Sequence, residues 1–131
     1  MKVTPDTNIL LRATMQDDPE QSPRAADTLR SATVIALTTH ALCEPAWVLA
    51  RGHKVPSAEI ARVLRRLLAD DNVVADRSAV QAGLAFLDAG GDFADGVIAQ
   101  AGLALSGETF VSFDRRAVAI AASLGLSAIV P

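Results

Sequence analysis

Four carboxylates of this 131-residue chain stand at positions from which they could bind one metal ion. Asp6 follows a short apolar segment near the start of the chain, and Asp114 follows the apolar segment Thr109–Phe113. Glu44 lies inside a predicted helix, and Asp95 lies near the start of another. Clustered carboxylates repel one another unless cations join them. Because ligand sets made only of oxygen select hard ions, we expect Mg²⁺ or Mn²⁺ here rather than zinc.

The aspartates also have a purely structural explanation. Asp6 and Asp114 each stand at the N-cap position of a predicted helix, where a side-chain oxygen accepts a hydrogen bond from a backbone N–H. Asp92 and Asp95 have the spacing of a capping box, and both would be favoured by the helix dipole. For this last pair, capping explains the residues better than a metal does when no other residue is considered.

Glu44 is harder to explain by capping, because it is too far from the start of its helix. Its neighbours are apolar, and an ionised carboxylate in such surroundings needs a partner or a metal ion. The alternative is a glutamate at the edge of the apolar face. Pro45 follows directly, and a proline inside a helix removes a backbone donor. A local bend at this point could aim the Glu44 side chain.

The elements that position these acids alternate between strand and helix. The predicted strands are apolar on both faces, which is typical of a parallel sheet covered on two sides. Ligands of such sheets bind beyond the carboxyl ends of the strands, where Asp6 and Asp114 lie. After the strand that ends at Val3, the predicted strands are Thr33–Leu37, Asn72–Ala75, Thr109–Phe113 and Ser127–Val130. The predicted helices are Ile9–Arg12, Pro19–Ser31, Thr39–Leu49, Ser57–Leu68, Ser78–Leu87, Phe93–Leu105 and Arg115–Leu124. Ser57 is expected to cap the helix that it begins.

Composition predicts one domain over residues 1–131, soluble and cytoplasmic. Half of the residues are hydrophobic, no apolar leader or membrane-spanning run is present, and the single Cys43 excludes an internal disulfide. The net charge of −3 argues against binding nucleic acid by charge alone. Most cations are arginines, however, and arginine suits bidentate phosphate contacts.

Four segments resemble the PIN-domain family, and in particular the VapC toxins of toxin–antitoxin pairs. They are Asp6–Leu10, Thr39–Leu49, Asp92–Ala99 and Phe110–Arg115. Each motif is weak alone, but their order and spacing cover nearly the whole chain. The departures from the pattern are Pro5 before the first acid and Pro45 after the second.

The resemblance implies a three-layer sandwich whose central, mostly parallel sheet has about five strands flanked by helices. It also implies that Asp6, Glu44, Asp95 and Asp114 form an acidic quartet that binds Mg²⁺ or Mn²⁺ and carries the catalysis. The residues expected around this quartet are Asp92 at its edge and Thr7, Asn8 and Ser112, which would orient the carboxylates by hydrogen bonds.

The activity implied by the resemblance is hydrolysis of RNA phosphodiester bonds, leaving 5′-phosphate and 3′-hydroxyl ends. Such toxins are usually homodimers bound by an antitoxin protein. Four arginines near the predicted rim are candidates for contacts with RNA phosphate or with acids of a partner: Arg12, Arg51, Arg115 and Arg116. We interpret Arg62, Arg65 and Arg66 as a solvated helix face, and Trp47 as a core or dimer-interface residue.

Four other functions are alternatives to a toxin ribonuclease. Phosphoryl transfer through an aspartyl-phosphate usually needs a late lysine, whereas the last lysine here is Lys54. A nucleotide-binding domain needs a P-loop or a dinucleotide fingerprint, and neither is present. A catalytically silent PIN-like interaction domain remains as the alternative, although such domains usually lose some of the acids. A housekeeping nuclease without a toxin role also remains.

Overall fold

The alternation of strand and helix is confirmed in the computed structural model, which describes residues 1–131. All strands are short, and the two that precede Asp6 and Asp114 have two residues each. The strands are β1 Lys2–Val3, β2 Val34–Leu37, β3 Val73–Ala75, β4 Phe110–Val111 and β5 Ala128–Ile129; the helices are α1 Thr7–Met15, α2 Gln21–Ser31, α3 Thr39–Trp47, α4 Ser57–Leu68, α5 Arg77–Asp88, α6 Phe93–Ala104 and α7 Arg115–Ser123, with a π-helical segment at Val48–Gly52.

The strands form two parallel sheets. In the first, β2 lies between β1 and β3, with Lys2 opposite Val34 and Ile35 opposite Val73. In the second, β4 pairs with β5 alone. A central sheet of about five strands is therefore not confirmed, since the strands divide into three and two. The two-residue strands β1 and β4 offer few backbone groups for pairing, and no ladder of hydrogen bonds joins them.

Two apolar cores correspond to the two sheets. The larger core contains 17 buried residues, among them Leu42, Leu64 and Phe93, which are fully buried. The smaller core contains four buried residues, which are Phe86, Ala99, Ile120 and Ala121. Helix α6 contributes Phe93 to the larger core and Ala99 to the smaller one. This helix, which begins beside Asp92 and Asp95, therefore joins the two cores.

Helices α5 and α6 approach each other closely because glycines lie at their contact. A Cβ atom on Gly83 would collide with the ring of Phe93, and one on Gly96 would collide with the carbonyl oxygen of Ala82. Gly96 directly follows Asp95. The close approach of the two helices therefore fixes the first turn of α6, where Asp92 and Asp95 stand.

Two expectations about individual helices are wrong. Ser57 is the first residue of α4 rather than its cap, because Pro56 occupies the N-cap position and makes no side-chain cap. The spacing of apolar residues over the predicted helix Phe93–Leu105 also predicts that Ile98 and Leu105 face inward, but these side chains, in α6 and just after its end, are 61% and 83% exposed. Helix α6 packs against α5 through its glycine face, which leaves these residues in solvent.

Proline 45 changes the helix that carries Glu44 without breaking it. Because Pro45 has no N–H, α3 loses one hydrogen bond in its interior. At the end of α3, the Val48 N–H is shared between the carbonyl oxygens of Glu44 and Pro45. From Val48 to Gly52 the chain is π-helical, and the His53 N–H donates to the Val48 carbonyl oxygen at 3.2 Å. None of the helices has the length and apolar character needed to cross a membrane.

Candidate functional site

The two aspartates at strand ends are helix caps, as their positions predicted. Asp6 accepts a hydrogen bond from the Ile9 N–H at 2.9 Å through Oδ1. Asp114 accepts from the N–H groups of Arg116 and Ala117 at 3.0 and 3.1 Å, also through Oδ1. In both residues the caps use one oxygen and leave Oδ2 without a protein donor. Capping therefore fixes these carboxylates while one oxygen of each stays available to a cation.

A third aspartate, Asp76, has the same geometry and was not singled out from the sequence. It follows β3 and caps α5 by accepting from the Ala79 N–H at 3.3 Å. The signal was present, since Val73, Val74 and Ala75 precede it as an apolar strand. Unlike Asp114, it has no influence on the titration of Asp95. Asp76 therefore serves as a control, because it caps a helix and has no place in the proposed metal site.

The pair that looked most like a capping box makes no caps. Asp92 is the N-cap residue of α6, yet its side chain accepts no hydrogen bond there. Asp95 stands in the first turn and is partly buried. Burial raises the pKa of the Asp95 carboxyl, and the negative charges of Asp92 and Asp114 raise that pKa further. Capping is therefore the weaker explanation for this pair.

Asp92, Asp95 and Asp114 are the acids whose charges the fold brings together. Asp95 feels the other two strongly enough for its ionisation to be disfavoured. Unfavourable repulsion of this kind is relieved when a cation lies among the carboxylates. From the sequence, Asp95 was the acid that helix capping could explain most easily. In the structure, it is the acid whose environment most favours a bound cation.

Glu44 does not have the apolar surroundings predicted for it. Its side chain is exposed, although its neighbours Pro45 and Ala46 are buried. The argument that its carboxylate needs a partner because it is desolvated is therefore wrong. The alternative of a glutamate at the edge of the apolar face describes its position. Its place in the acidic quartet stays a prediction that rests on the family resemblance.

The carboxylate oxygens of the acids suit a hard divalent ion, but the acids are too widely spaced to form a closed set of ligands. Carboxylate oxygens are the ligands that Mg²⁺ and Mn²⁺ prefer. No three histidine, cysteine, aspartate or glutamate side chains lie close enough together to hold one ion. Asp92, Asp95 and Asp114 would hold a metal at the start of α6, because Asp95 is near enough to the other two for their charges to raise its pKa.

Cys43 lies beside the acids without being a reactive thiol. Burial raises the pKa of the Cys43 thiol, and the charge of Asp92 raises it further. The thiol is therefore protonated at neutral pH, and a protonated thiol is a poor nucleophile. The same influence shows that α3, which carries Cys43 and Glu44, lies near the start of α6.

The residues expected to orient the carboxylates differ in what they contact. The Ser112 hydroxyl accepts a hydrogen bond from the Asp114 N–H at 3.0 Å, so it fixes the backbone of that aspartate rather than its carboxylate. Thr7 is partly buried and Asn8 is exposed, and neither donates a hydrogen bond to Asp6. Their expected role stays a prediction.

The four candidate arginines are not equivalent. Arg12 is committed within the protein: it donates to Gln21 at 2.9 Å and to Asp17 at 3.1 Å. Arg51, Arg115 and Arg116 are exposed and form no salt bridge with a carboxylate. These three are therefore the cations that remain free for a phosphate or a partner.

The helix face interpreted as solvated is exposed at Arg62, Arg65 and Arg66, and Arg65 also makes a contact between helices. Its guanidinium donates to both carboxylate oxygens of Asp88, at 2.9 and 2.6 Å, and so links α4 to α5. Arg62 of the same helix pairs with Glu59 at 2.7 Å. This face of α4 is thus occupied by ion pairs within the protein.

Comparison with known proteins identifies the family. The PIN domain model matches residues 3–123, which is most of the chain and includes all four predicted acids. No curated protein matches the sequence. PIN domains are generally nucleases, and those nucleases generally use divalent metals. The match therefore supports the nuclease reading of the acids without identifying a subtype.

Proposed function

This chain belongs to the PIN-domain family, and from that membership we propose that it is a Mg²⁺- or Mn²⁺-dependent endoribonuclease. The observation that carries the proposal is the position of Asp95 at the start of α6, where its carboxyl is partly buried and the charges of Asp92 and Asp114 raise its pKa further. None of these three carboxylates forms a salt bridge with a cationic side chain, and a bound cation would relieve the repulsion at Asp95.

In the proposed site Asp95 is the central ligand, and Asp114 lies beside it with its carboxylate held by two cap hydrogen bonds. Asp6 is held in the same way, and Glu44 completes the quartet. A bound divalent ion lowers the pKa of water and neutralises charge on the phosphate. The protein holds the aspartates at the first turns of helices. These turns keep the carboxylates in position despite the repulsion between them.

The decisive test compares Asp95→Asn with Asp76→Asn. We expect the first to lower the rate of RNA cleavage by about 10²–10³-fold or more, because it removes a charge that stabilises the reaction centre. The second changes an exposed aspartate that caps a helix outside the proposed site, and cleavage should stay within about twofold of wild type by the usual behaviour of surface positions. Cleavage of a labelled single-stranded RNA is measured with Mg²⁺, Mn²⁺ and EDTA.

Full Mg²⁺-dependent cleavage by folded Asp95→Asn protein would overturn the site assignment. Equal losses in both variants would show that the aspartates act through folding, so thermal unfolding is measured for each. Asp6→Asn, Glu44→Gln and Asp114→Asn then test the rest of the quartet in the same assay.

We also propose that the protein is the toxin of a VapBC-type toxin–antitoxin pair, acting in the cytoplasm as one domain of residues 1–131 and as a homodimer. The support is the resemblance of its four motifs to VapC toxins. Expression of the chain alone should arrest growth, and co-expression of a small antitoxin should restore it. An active nuclease that leaves growth unaffected would instead favour a housekeeping role.

A catalytically silent PIN-like interaction domain is the rival that one observation favours. No three acidic side chains yet form a closed set of metal ligands. The rival predicts that neither Mg²⁺ nor Mn²⁺ binds. Calorimetric titration of the wild-type protein with Mn²⁺ separates the two, since the nuclease proposal requires binding that weakens in Asp95→Asn.

A further inference from the structure

A cavity of about 170 Å³ lies directly beside the acidic cluster. Asp92 and Gly91 form the side of the cavity nearest the acids. Trp47 and Arg51 form another side, and apolar side chains that include Leu87 complete the lining. The cavity thus combines an aromatic ring, a guanidinium and an apolar surface next to the carboxylates of the proposed active site.

Trp47 does not have the buried position that its size predicts. Its side chain is 53% exposed at the end of α3, although tryptophan is usually highly buried. It is also the only tryptophan of the chain. All other large exposed apolar side chains lie outside α3 and the π-helical segment. Trp47 is therefore an isolated aromatic surface rather than part of an apolar patch.

Cationic residues follow Trp47 along the chain, while the carboxylate of Asp92 lies at the other side of the cavity. Arg51 follows on the π-helical segment, is exposed and pairs with no carboxylate. His53 and Lys54 come next and are also exposed. A short π-helical stretch at this point is notable because such stretches are frequent at functional sites. Trp47 directly precedes the stretch and Arg51 lies in it, and both line the same cavity.

We propose that this cavity binds one nucleobase of single-stranded RNA beside the cleaved bond, with Trp47 stacking on the base and Arg51 contacting an adjoining phosphate. The inference rests on the proposed nuclease function and names residues that select and position its substrate. Aromatic rings combined with cations are the usual means of binding single-stranded nucleic acid, because every base offers a π face.

A second copy of the chain suits this surface less well. A stable protein interface buries at least about 1,000 Å² and has an apolar centre depleted in charge. Around Trp47 the exposed neighbours are instead charged or polar. The carboxylate of Asp92 at the other side of the cavity would also need to be neutralised in a dry interface, whereas a metal-bound RNA backbone lies naturally beside it.

The test uses a fluorescein-labelled hexauridylate RNA and the full-length chain, in EDTA so that no cleavage occurs. Fluorescence anisotropy gives the affinity of wild type, Trp47→Leu, Trp47→Phe and Arg51→Gln. We expect Trp47→Leu to weaken binding roughly 10-fold or more, as loss of one stacked base does. Trp47→Phe keeps an aromatic ring and should retain most of the affinity.

Two further readouts distinguish stacking from a merely structural effect. Unlabelled hexauridylate should quench the fluorescence of the single tryptophan, whereas inorganic tripolyphosphate, which has no bases, should not. Arg51→Gln should reduce the slope of log affinity against log salt concentration by about 0.7, as loss of one phosphate contact to a single strand does. Leu105→Ala, at a fully separate exposed site, is the matched control and should change none of these quantities.

Unchanged affinity and unchanged tryptophan fluorescence in the presence of RNA would overturn the inference. So would a Trp47→Leu variant that binds RNA normally but sediments as a smaller species, since Trp47 would then contact a second copy. If Trp47→Leu fails to fold, the salt dependence of Arg51→Gln and the quenching of wild type still decide the matter.

The failure of this inference is separable from failure of the proposed function. Wild-type cleavage with Mg²⁺, combined with normal RNA affinity of Trp47→Leu, overturns the base site alone. Binding of RNA that depends on Trp47, without any metal-dependent cleavage by wild type, supports the base site and overturns the nuclease proposal.

Discussion

The proposed metal ligands lie on both the three-stranded and the two-stranded sheet, and these sheets are backed by buried cores of very different size. Asp6 follows β1, which belongs to the sheet backed by the 17-residue core. Asp114 follows β4, which belongs to the sheet backed by only four buried residues. Asp92 and Asp95 stand on α6, the helix that joins the two cores. The proposed metal site therefore spans a boundary between a well-packed and a thinly packed region.

The acids of the proposed site come from both regions. The charge of Asp114 raises the pKa of Asp95, which places these two acids near each other although they lie on different helices. Asp6 and β4 lie on sheets that share no hydrogen bonds, and β4 leaves Val111 exposed at 56%. The position of a ligand at a strand end is thus not enough. The proposed site draws on both sheets, so the packing between them has to place Asp6 relative to Asp114.

The largest expected effect is on folding, in the larger core. Leu64→Ala removes a fully buried side chain and should lower the free energy of unfolding by about 2–5 kcal/mol. Ile129→Ala, in the small sheet, removes a side chain that is about half exposed and should cost no more than about 0.5 kcal/mol. Urea unfolding curves of both variants check the comparison, and equal losses would contradict the inequality of the cores.

The second effect is stabilisation of the fold by a bound metal ion, whose ligands would come from both regions. At a Mn²⁺ concentration 100 times the dissociation constant, binding to the folded state alone should add about 2.7 kcal/mol to the free energy of unfolding. The gain should be strongly reduced in Asp95→Asn and unchanged in Asp76→Asn. Thermal unfolding with Mn²⁺ and with EDTA measures it. Stabilisation of equal size in both variants would place the metal elsewhere.

The third effect separates capping from chemistry. Asp114→Ala and Asp76→Ala each remove an N-cap side chain and should each lower the free energy of unfolding by about 1 kcal/mol. Only Asp114→Ala should also abolish RNA cleavage. Paired unfolding and cleavage assays test this. If the two variants lose activity in parallel, Asp114 is a cap and nothing more.

The smallest effect is on the pH dependence of the free energy of unfolding, measured in EDTA. The carboxylates of Asp95 and Asp88 should contribute to it with opposite signs. The pKa of Asp95 is raised by burial and by its acidic neighbours, so its ionised form destabilises the fold. That cost is fully present above the raised pKa and absent below the ordinary pKa near 3.8. Asp95→Asn should therefore be more stable than wild type at neutral pH, and the advantage should vanish as the pH falls.

Asp88 provides the opposite case. Its hydrogen bonds with Arg65 lower the pKa of the Asp88 carboxyl, so its ionised form stabilises the fold above pH 3.8, and the gain is lost as pH falls through the lowered value. Asp88→Asn should cost at most about 1 kcal/mol at neutral pH, because the pair is half exposed. Unfolding of both variants between pH 3 and pH 7 gives the two slopes, and slopes of the same sign would contradict the assignment.

Much of the local structure followed from local sequence. The sequence predicts either Thr38 or Thr39 as the cap of α3, and Thr38 is the one that accepts from the Ala41 N–H, at 3.1 Å. The pair Gly90-Gly91 likewise predicts a break after α5, where Gly90 takes a positive φ that other residues rarely adopt. The wrong assignments arose where packing decides: Ile98 and Leu105 have the spacing of an inward face, but no element covers them.

By itself, the sequence determined the order of strands and helices, the caps at Asp6 and Asp114, and the family. Each depends on residues close together in the chain or on a pattern along it. Only the tertiary structure decided that Asp95 repels its neighbours, that Glu44 and Trp47 face solvent, and that the strands divide into two sheets. Those features depend on desolvation and charge between distant segments, and no local pattern encodes the distance between them.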